Sequence, residues 1–235
     1  MSKRIYWVLT KENMARRIAK AQAAYDDAVG NVDNLHVSIS DGNTKLGAIP
    51  SVSLIPVMDC GNCGLCSKSC YDLRNDLIYK GVIKSRATNS AILHEDPERY
   101  FKEIDGYINY RSPRAFRFHV GGDIKDEWYL GKMCEIARNH PETKFLTFTK
   151  MFKVCNGYLD KGNVIPENLH ILFSGWLGLD MPNPHGFPEA HPIFENGTSA
   201  PEGTMLCSGN CTECLKEDRL CWKIGKGQAV GFLAH

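Results

Sequence analysis

Four cysteines fall within the eleven residues Cys60-Gly-Asn-Cys63-Gly-Leu-Cys66-Ser-Lys-Ser-Cys70. Side chains at intervals of two and three residues, with glycines between them, fold back around one centre. Neighbours this close rarely reach unstrained disulfide geometry without a dedicated scaffold. A second nest lies near the other end, Cys207-x3-Cys211-x2-Cys214-x6-Cys221, followed by Trp222; of the ten cysteines only Cys134 and Cys155 stand outside the two nests. Two metal sites are therefore expected, one held by Cys60, Cys63, Cys66 and Cys70 and the other by Cys207, Cys211, Cys214 and Cys221.

Soft thiolate ligands select zinc or iron–sulfur clusters. Zinc ribbons pair two Cys-x2-Cys knuckles across a longer loop, whereas the first nest runs x2, x2, x3 without interruption. That run is closer to a bacterial ferredoxin loop, although Tyr71 stands where ferredoxins carry proline. The second nest also suits a four-iron cluster, with Trp222 screening it from water. Two [4Fe-4S] clusters are the expected cofactors, with zinc as the alternative. Cys134 has the spacing of a core residue within a helix, and Cys155 is read the same way.

The short apolar run at the N-terminus is broken by Lys11 and Glu12, too early for an export signal, and no stretch approaches membrane-spanning length. A reducing cytoplasm is the expected setting, and it favours metal over disulfides. The formal net charge is +1. With no long basic run, nothing points to nucleic acid. The expected partners are an electron-transfer protein or a small-molecule substrate.

Ile5 to Thr10 is β-rich and predicts a first strand, followed by a helix over 11–27. Residues 34–48 read as a β-hairpin around Asp41-Gly-Asn. Helices are expected over 67–80 and 87–110, the latter restarting at Asp96-Pro97. Then come a strand over 115–120, a helix over 125–140, a strand over 144–149, a short helix over 151–159 and a strand over 168–176. Strands alternating with helices at this spacing imply right-handed crossovers and a parallel sheet. Residues 177–203 are rich in proline and glycine and read as a long ordered loop, and 228–235 as a last strand. The expected fold class is α/β, a partial or complete parallel (β/α) barrel. It comprises residues 1–203 with the first nest, and a cysteine-rich extension, 204–235, packed on it as part of one structural domain.

Phe116-Arg-Phe-His-Val-Gly-Gly-Asp123, the helix after it and Lys144-Phe-Leu-Thr-Phe-Thr-Lys150 resemble part of a radical S-adenosylmethionine (SAM) barrel. In that superfamily a cluster-binding cysteine loop follows an early strand, and a Gly-Gly-acid motif after the next strand helps bind SAM. The superfamily motif, Cys-x3-Cys-x2-Cys, leaves one iron open. Only Cys207, Cys211 and Cys214 have that spacing here. A cluster closed by four thiolates offers SAM no coordination site, so an iron–sulfur protein with a redox or structural role is the first expectation, and a radical SAM enzyme the second. A zinc-stabilised hydrolase or an interaction protein is the third. The chain also resembles a phage-borne, cysteine-rich family known by a gene-product number. The marks of that resemblance are Cys66-x3-Cys70-Tyr71, His119 before a glycine-acid turn, Thr149-Lys150, a late Cys-x2-Cys with Cys221-Trp222, and a terminal histidine.

Strand ends are where α/β sheets place function. His119, Asp123 and Lys150 are accordingly the candidate catalytic residues, with Gly121, Gly122, Ser174 and Trp176 as cofactor-binding candidates. Core packing competes for His119, and N-capping of the next helix for Asp123. Ser174 lacks a G-x-S-x-G elbow. Asp180, His185 and His191, in the expected long loop, and His235 are further metal-ligand candidates, for which a solvated surface is an equal explanation.

Overall fold

A computed structural model describes residues 10–67, 70, 72–73, 80–194 and 197–233. The expected strand at 5–9, most of the expected helix over 67–80, Tyr71 and His235 lie outside the described residues. Helix α1 (Lys11–Val29) begins where the Thr10 hydroxyl accepts the Asn13 N–H at 3.2 Å. It lies against α2 (Lys80–Glu95) through Ala21, Ala28, Ala87 and Ala91, small residues that let the two backbones approach. Next, α3 (Pro97–Arg111) starts on an Asp96 cap with proline in its first turn and ends at Ser112 in the left-handed region, φ 43°. Helix α4 (Glu127–Asn139) is capped by Asp126, whose carboxylate accepts the Tyr129 N–H at 2.8 Å. After it α5 (Phe152–Asp160) and the one-and-a-half-turn α6 (Cys211–Lys216) complete the described helices.

The strands are β1 (Ser51–Val52), β2 (Ala115–Phe118), β3 (Lys144–Thr149), β4 (Leu169–Ser174), β5 (Glu189–Phe194), β6 (Gly197–Thr198), β7 (Met205–Leu206) and β8 (Ala229–Leu233). They form one sheet in the order β1-β2-β3-β4-β5-β8-β7, parallel throughout, with β6 turned back antiparallel on the end of β5. Side chains alternate between the two faces, as a strand's period of two requires. Phe116, Phe118, Phe145, Ile171 and Phe173 point to one face, where α3, α4 and α5 cover them. Ala115, Leu146, Leu172, Ala190 and Val230 point to the other face, which is covered by Leu46, Ile49, Leu215, Trp222 and Ile224. Each of those phenylalanines is fully buried, and burial of such a ring stabilises by roughly 2–3 kcal/mol. The extension therefore supplies both β7 and β8 to the common sheet and the lid over its second face.

Two expectations are corrected. Residues 34–48 form no hairpin ladder; only isolated antiparallel bridges join Ser40 to Ser51 and Asn43 to Gly47, because Asn89 takes the backbone of Ser38 through both ends of its amide. The long loop over 177–203 contains β5 and β6, and His191 lies inside β5. Pro188 and Pro192 disguised that strand. The missing N–H of Pro192 is tolerated because it would face the β4 side, where the pairing of β4 with β5 has already ended at Ala190.

Candidate functional site

The first nest follows β1 at the carboxyl edge of the sheet, held there by the loop after β2. Leu54 donates to the Gly121 carbonyl and Asp123 to the Asp59 carbonyl, each at 2.9 Å. Gly61 lies so close to Met151, at the head of α5, that a methyl group there would overlap the thioether. The neighbouring thiols act on one another: Cys60 and Cys66 raise the pKa of Cys63, and Cys63 is the first cause lowering theirs. Lys150 adds positive charge beside Cys66. Burial first, then Asp72, pushes the Cys70 thiol up to about 12, although its sulfur meets the backbone N–H groups of Asp72 and Leu73.

Backbone geometry is strained where it serves these sulfurs. Val57, a β-branched residue, sits at φ 73°, a conformation that costs on the order of 1–3 kcal/mol. Its backbone N–H is among the causes that lower the Cys60 pKa, after the Cys63 thiol. Amide-to-sulfur contacts of this kind orient and tune thiolate ligands. A comparable contact in the second nest runs from Gly209 N–H to the Cys207 sulfur at 3.4 Å. There Cys221 and Cys211 lie within one another's field and that of the other two thiols, beside Arg117; burial is the first cause raising both, Cys221 to about 12. This nest belongs to the apolar layer on the sheet's second face. The soft donors of both nests suit a cluster or zinc. Among the described residues, no three His, Cys, Asp or Glu side chains converge at metal-holding distances.

The strand-end candidates divide into scaffold and surface. His119, at φ 57° and 2% exposed, bonds Tyr129 Oη through Nε2 at 2.8 Å and Thr147 Oγ1 through Nδ1 at 3.3 Å. Burial lowers its pKa to about 3, so its imidazole is neutral near pH 7. Asp123 is buried; it accepts from Thr149 Oγ1 at 2.6 Å and from the N–H groups of Ile124 and Lys150 at 2.7 and 2.8 Å. Its carboxylate ties the β2 loop to the end of β3, and it does not cap α4, whose cap is Asp126. The space over Gly121 and Gly122 is filled by Asp72 and Leu54. By contrast, Lys150 Nζ reaches Ser174 Oγ at 3.0 Å and lies 5.9 Å from the centre of the Trp176 ring, and all three are only half-buried. Asp180 is exposed, and His185 pairs with Asp160 at 2.7 Å.

A group not expected from the sequence adjoins the first nest. Asp59, fully buried, accepts from Ser90 Oγ at 2.6 Å, Lys125 Nζ at 2.7 Å and His94 Nε2 at 2.8 Å, and Tyr25 Oη meets His94 Nδ1 at 3.0 Å. Burial alone would raise the pKa of Asp59; the His94, Lys125 and Ser90 contacts outweigh it and hold the carboxyl at about 2. The available signal was an aspartate directly before Cys60. Cys134 and Cys155 are buried in α4 and α5, as expected.

The class is thus an α/β protein with a parallel sheet, a half-buried cysteine nest at the sheet's carboxyl edge and a second nest on one face. The chain belongs to the family described as Gene product 88, whose model matches residues 7–176; the resemblance to a phage gene-product family is borne out. No curated protein and no solved structure matches it. Among the described residues, no helix is long and apolar enough to cross a membrane.

Proposed function

We propose that this chain is an iron–sulfur protein whose first nest, Cys60 to Cys70, holds a redox cluster at the carboxyl edge of a radical-SAM-like partial barrel. The observation that carries the reading is four half-buried cysteines of ferredoxin-like spacing standing directly after β1, at the carboxyl edge of a parallel sheet. Helices α3, α4 and α5 over one face of the parallel sheet, with only the short α6 on the other, resemble a partial barrel more than a doubly wound fold. The half-buried first nest is open enough for electron exchange with a protein partner. The second nest, packed in an apolar layer, staples the extension to the sheet with a second cluster or with zinc. Gly121, Gly122 and Asp123 then serve as scaffold, since their surfaces are taken by the chain itself.

One observation favours SAM chemistry as a second reading. Cys60, Cys63 and Cys66 act on one another's titration, whereas burial and then Asp72 dominate at Cys70. Three thiolates would leave one iron open to a ligand near Lys150, Ser174 and Trp176. A bound cluster would supply the electron; the lysine and the indole would hold a charged, planar substrate group.

Anaerobic purification followed by iron, sulfide and zinc analysis tests the first reading, with about eight irons and eight sulfides per chain expected for two four-iron clusters. Zinc without sulfide would overturn it. Electron paramagnetic resonance of the reduced protein with and without SAM separates the two readings. A spectrum changed by SAM selects the second.

A further inference from the structure

Glu189 and His191 stand two residues apart on β5 and so share one face of the strand. His191 is 2% exposed. Its Nε2 meets Glu189 Oε2 at 2.8 Å and its Nδ1 meets Ser199 Oγ at 2.9 Å. The other carboxylate oxygen of Glu189 accepts from Asn183 Nδ2 at 3.1 Å. The serine is exposed, on the segment that leaves β6. Gly175, aligned with His191 across the β4–β5 pair, gives its N–H to the Ala190 carbonyl at 2.9 Å, and a methyl group there would overlap the imidazole. The ring is thus seated over a bare backbone, with a carboxylate on one nitrogen and an accessible hydroxyl on the other.

We propose that Ser199, His191 and Glu189 form a nucleophilic triad for acyl transfer, independent of the metal reading. Such triads are recognised by geometry and roles, and not by chain order. Both contacts lie within the hydrogen-bond reach that a nucleophile–base–orienter set requires. With the Nε2 proton given to the Glu189 carboxylate, the Nδ1 lone pair faces the serine. The nitrogens are used in the opposite sense to chymotrypsin, which either nitrogen of an imidazole permits. Ser199 Oγ bonds the carbonyl carbon of an ester while its proton passes to Nδ1. Collapse breaks the bond to the leaving alcohol, which takes that proton. Water then repeats the sequence on the acyl-serine, releasing the acid and restoring the hydroxyl. The same hairpin carries Phe194, whose ring meets Trp176 edge-on at 5.2 Å, beside exposed Leu177. An apolar acyl group is therefore the expected substrate class. Ser199 and His191 are catalytic; Glu189, Asn183 and Gly175 are positioning residues.

The test uses the full chain, a fluorophosphonate probe located by peptide mass spectrometry, and hydrolysis of p-nitrophenyl butyrate. Labelling of Ser199 is expected, abolished in Ser199→Ala and lowered by at least about 100-fold in His191→Gln. Glu189→Gln should lower kcat by a comparable factor and leave KM unchanged, a pattern that simple loosening of β5 would not give. Circular dichroism and thermal melting of each variant confirm that it is folded. No labelling of Ser199 in the folded wild type, or labelling that persists at the wild-type rate in folded His191→Gln, overturns the triad.

Discussion

His119 and Cys134 show what burial does to a titratable side chain. His119 is held neutral by burial, with a folded pKa of about 3, whereas the unfolded chain titrates it near 6.5. The unfolded state therefore binds a proton that the folded state refuses, and this contribution to stability is lost as the pH falls from about 6.5 towards 3. His119→Asn keeps a residue that tolerates positive φ and removes the titration. Its unfolding free energy, followed by urea denaturation between pH 7 and pH 4, should fall less steeply than that of the wild type, by up to a few kcal/mol over the range. Cys134→Ala, within the apolar layer under α4, should cost about 1 kcal/mol and leave the metal content unchanged. Cys60→Ala should lower the iron by about one cluster's worth. Equal iron in wild type and Cys60→Ala would remove Cys60 from the ligand set.

At the scale of elements, the glycine pair after β2 joins two strands closely. Gly122 sits at φ 83°, and a Cβ there would lie 2.6 Å from that of Leu54. Gly122→Ala should destabilise by about 1–3 kcal/mol in chemical denaturation; an unchanged midpoint would mean that the loop has room to move. Much of the central architecture was legible in the sequence. Lys144–Thr149 was readable as a strand because Phe145, Leu146 and Phe148 cover both faces, and Asp96-Pro97 marked a helix start by its own chemistry. The strand at 189–194 was hidden by two prolines, and with it the partnership of Glu189, His191 and Ser199, which depends on a hairpin return that no local pattern announces. The role of Asp59 was equally hidden, since its partners stand 31, 35 and 66 residues away. The glycine-acid turn was visible, but not that Leu54 and Asp72 fill the space above it.

The molecule as a whole is tied together from its C-terminal side. β8 lies between β5 and β7, and Trp222, buried at 1% exposure, closes the second face of the sheet. A chain ending at residue 203 should therefore fail to fold independently, giving a collapsed or aggregated product by gel filtration and a circular dichroism spectrum poor in sheet. A stable, monomeric 1–203 fragment would show that the extension is dispensable. If the second nest holds the proposed metal, chelation that strips it alone should lower the melting temperature, because a metal bound only by the folded state favours that state. The strand order also matters during synthesis. When β7 leaves the ribosome, its parallel neighbour has not yet been made, and β5 still offers a bare edge. Nascent chains must hold that edge open until β8 emerges, so a translational pause between the codons for β7 and β8 would lengthen the interval in which two growing chains on one message can pair edge to edge.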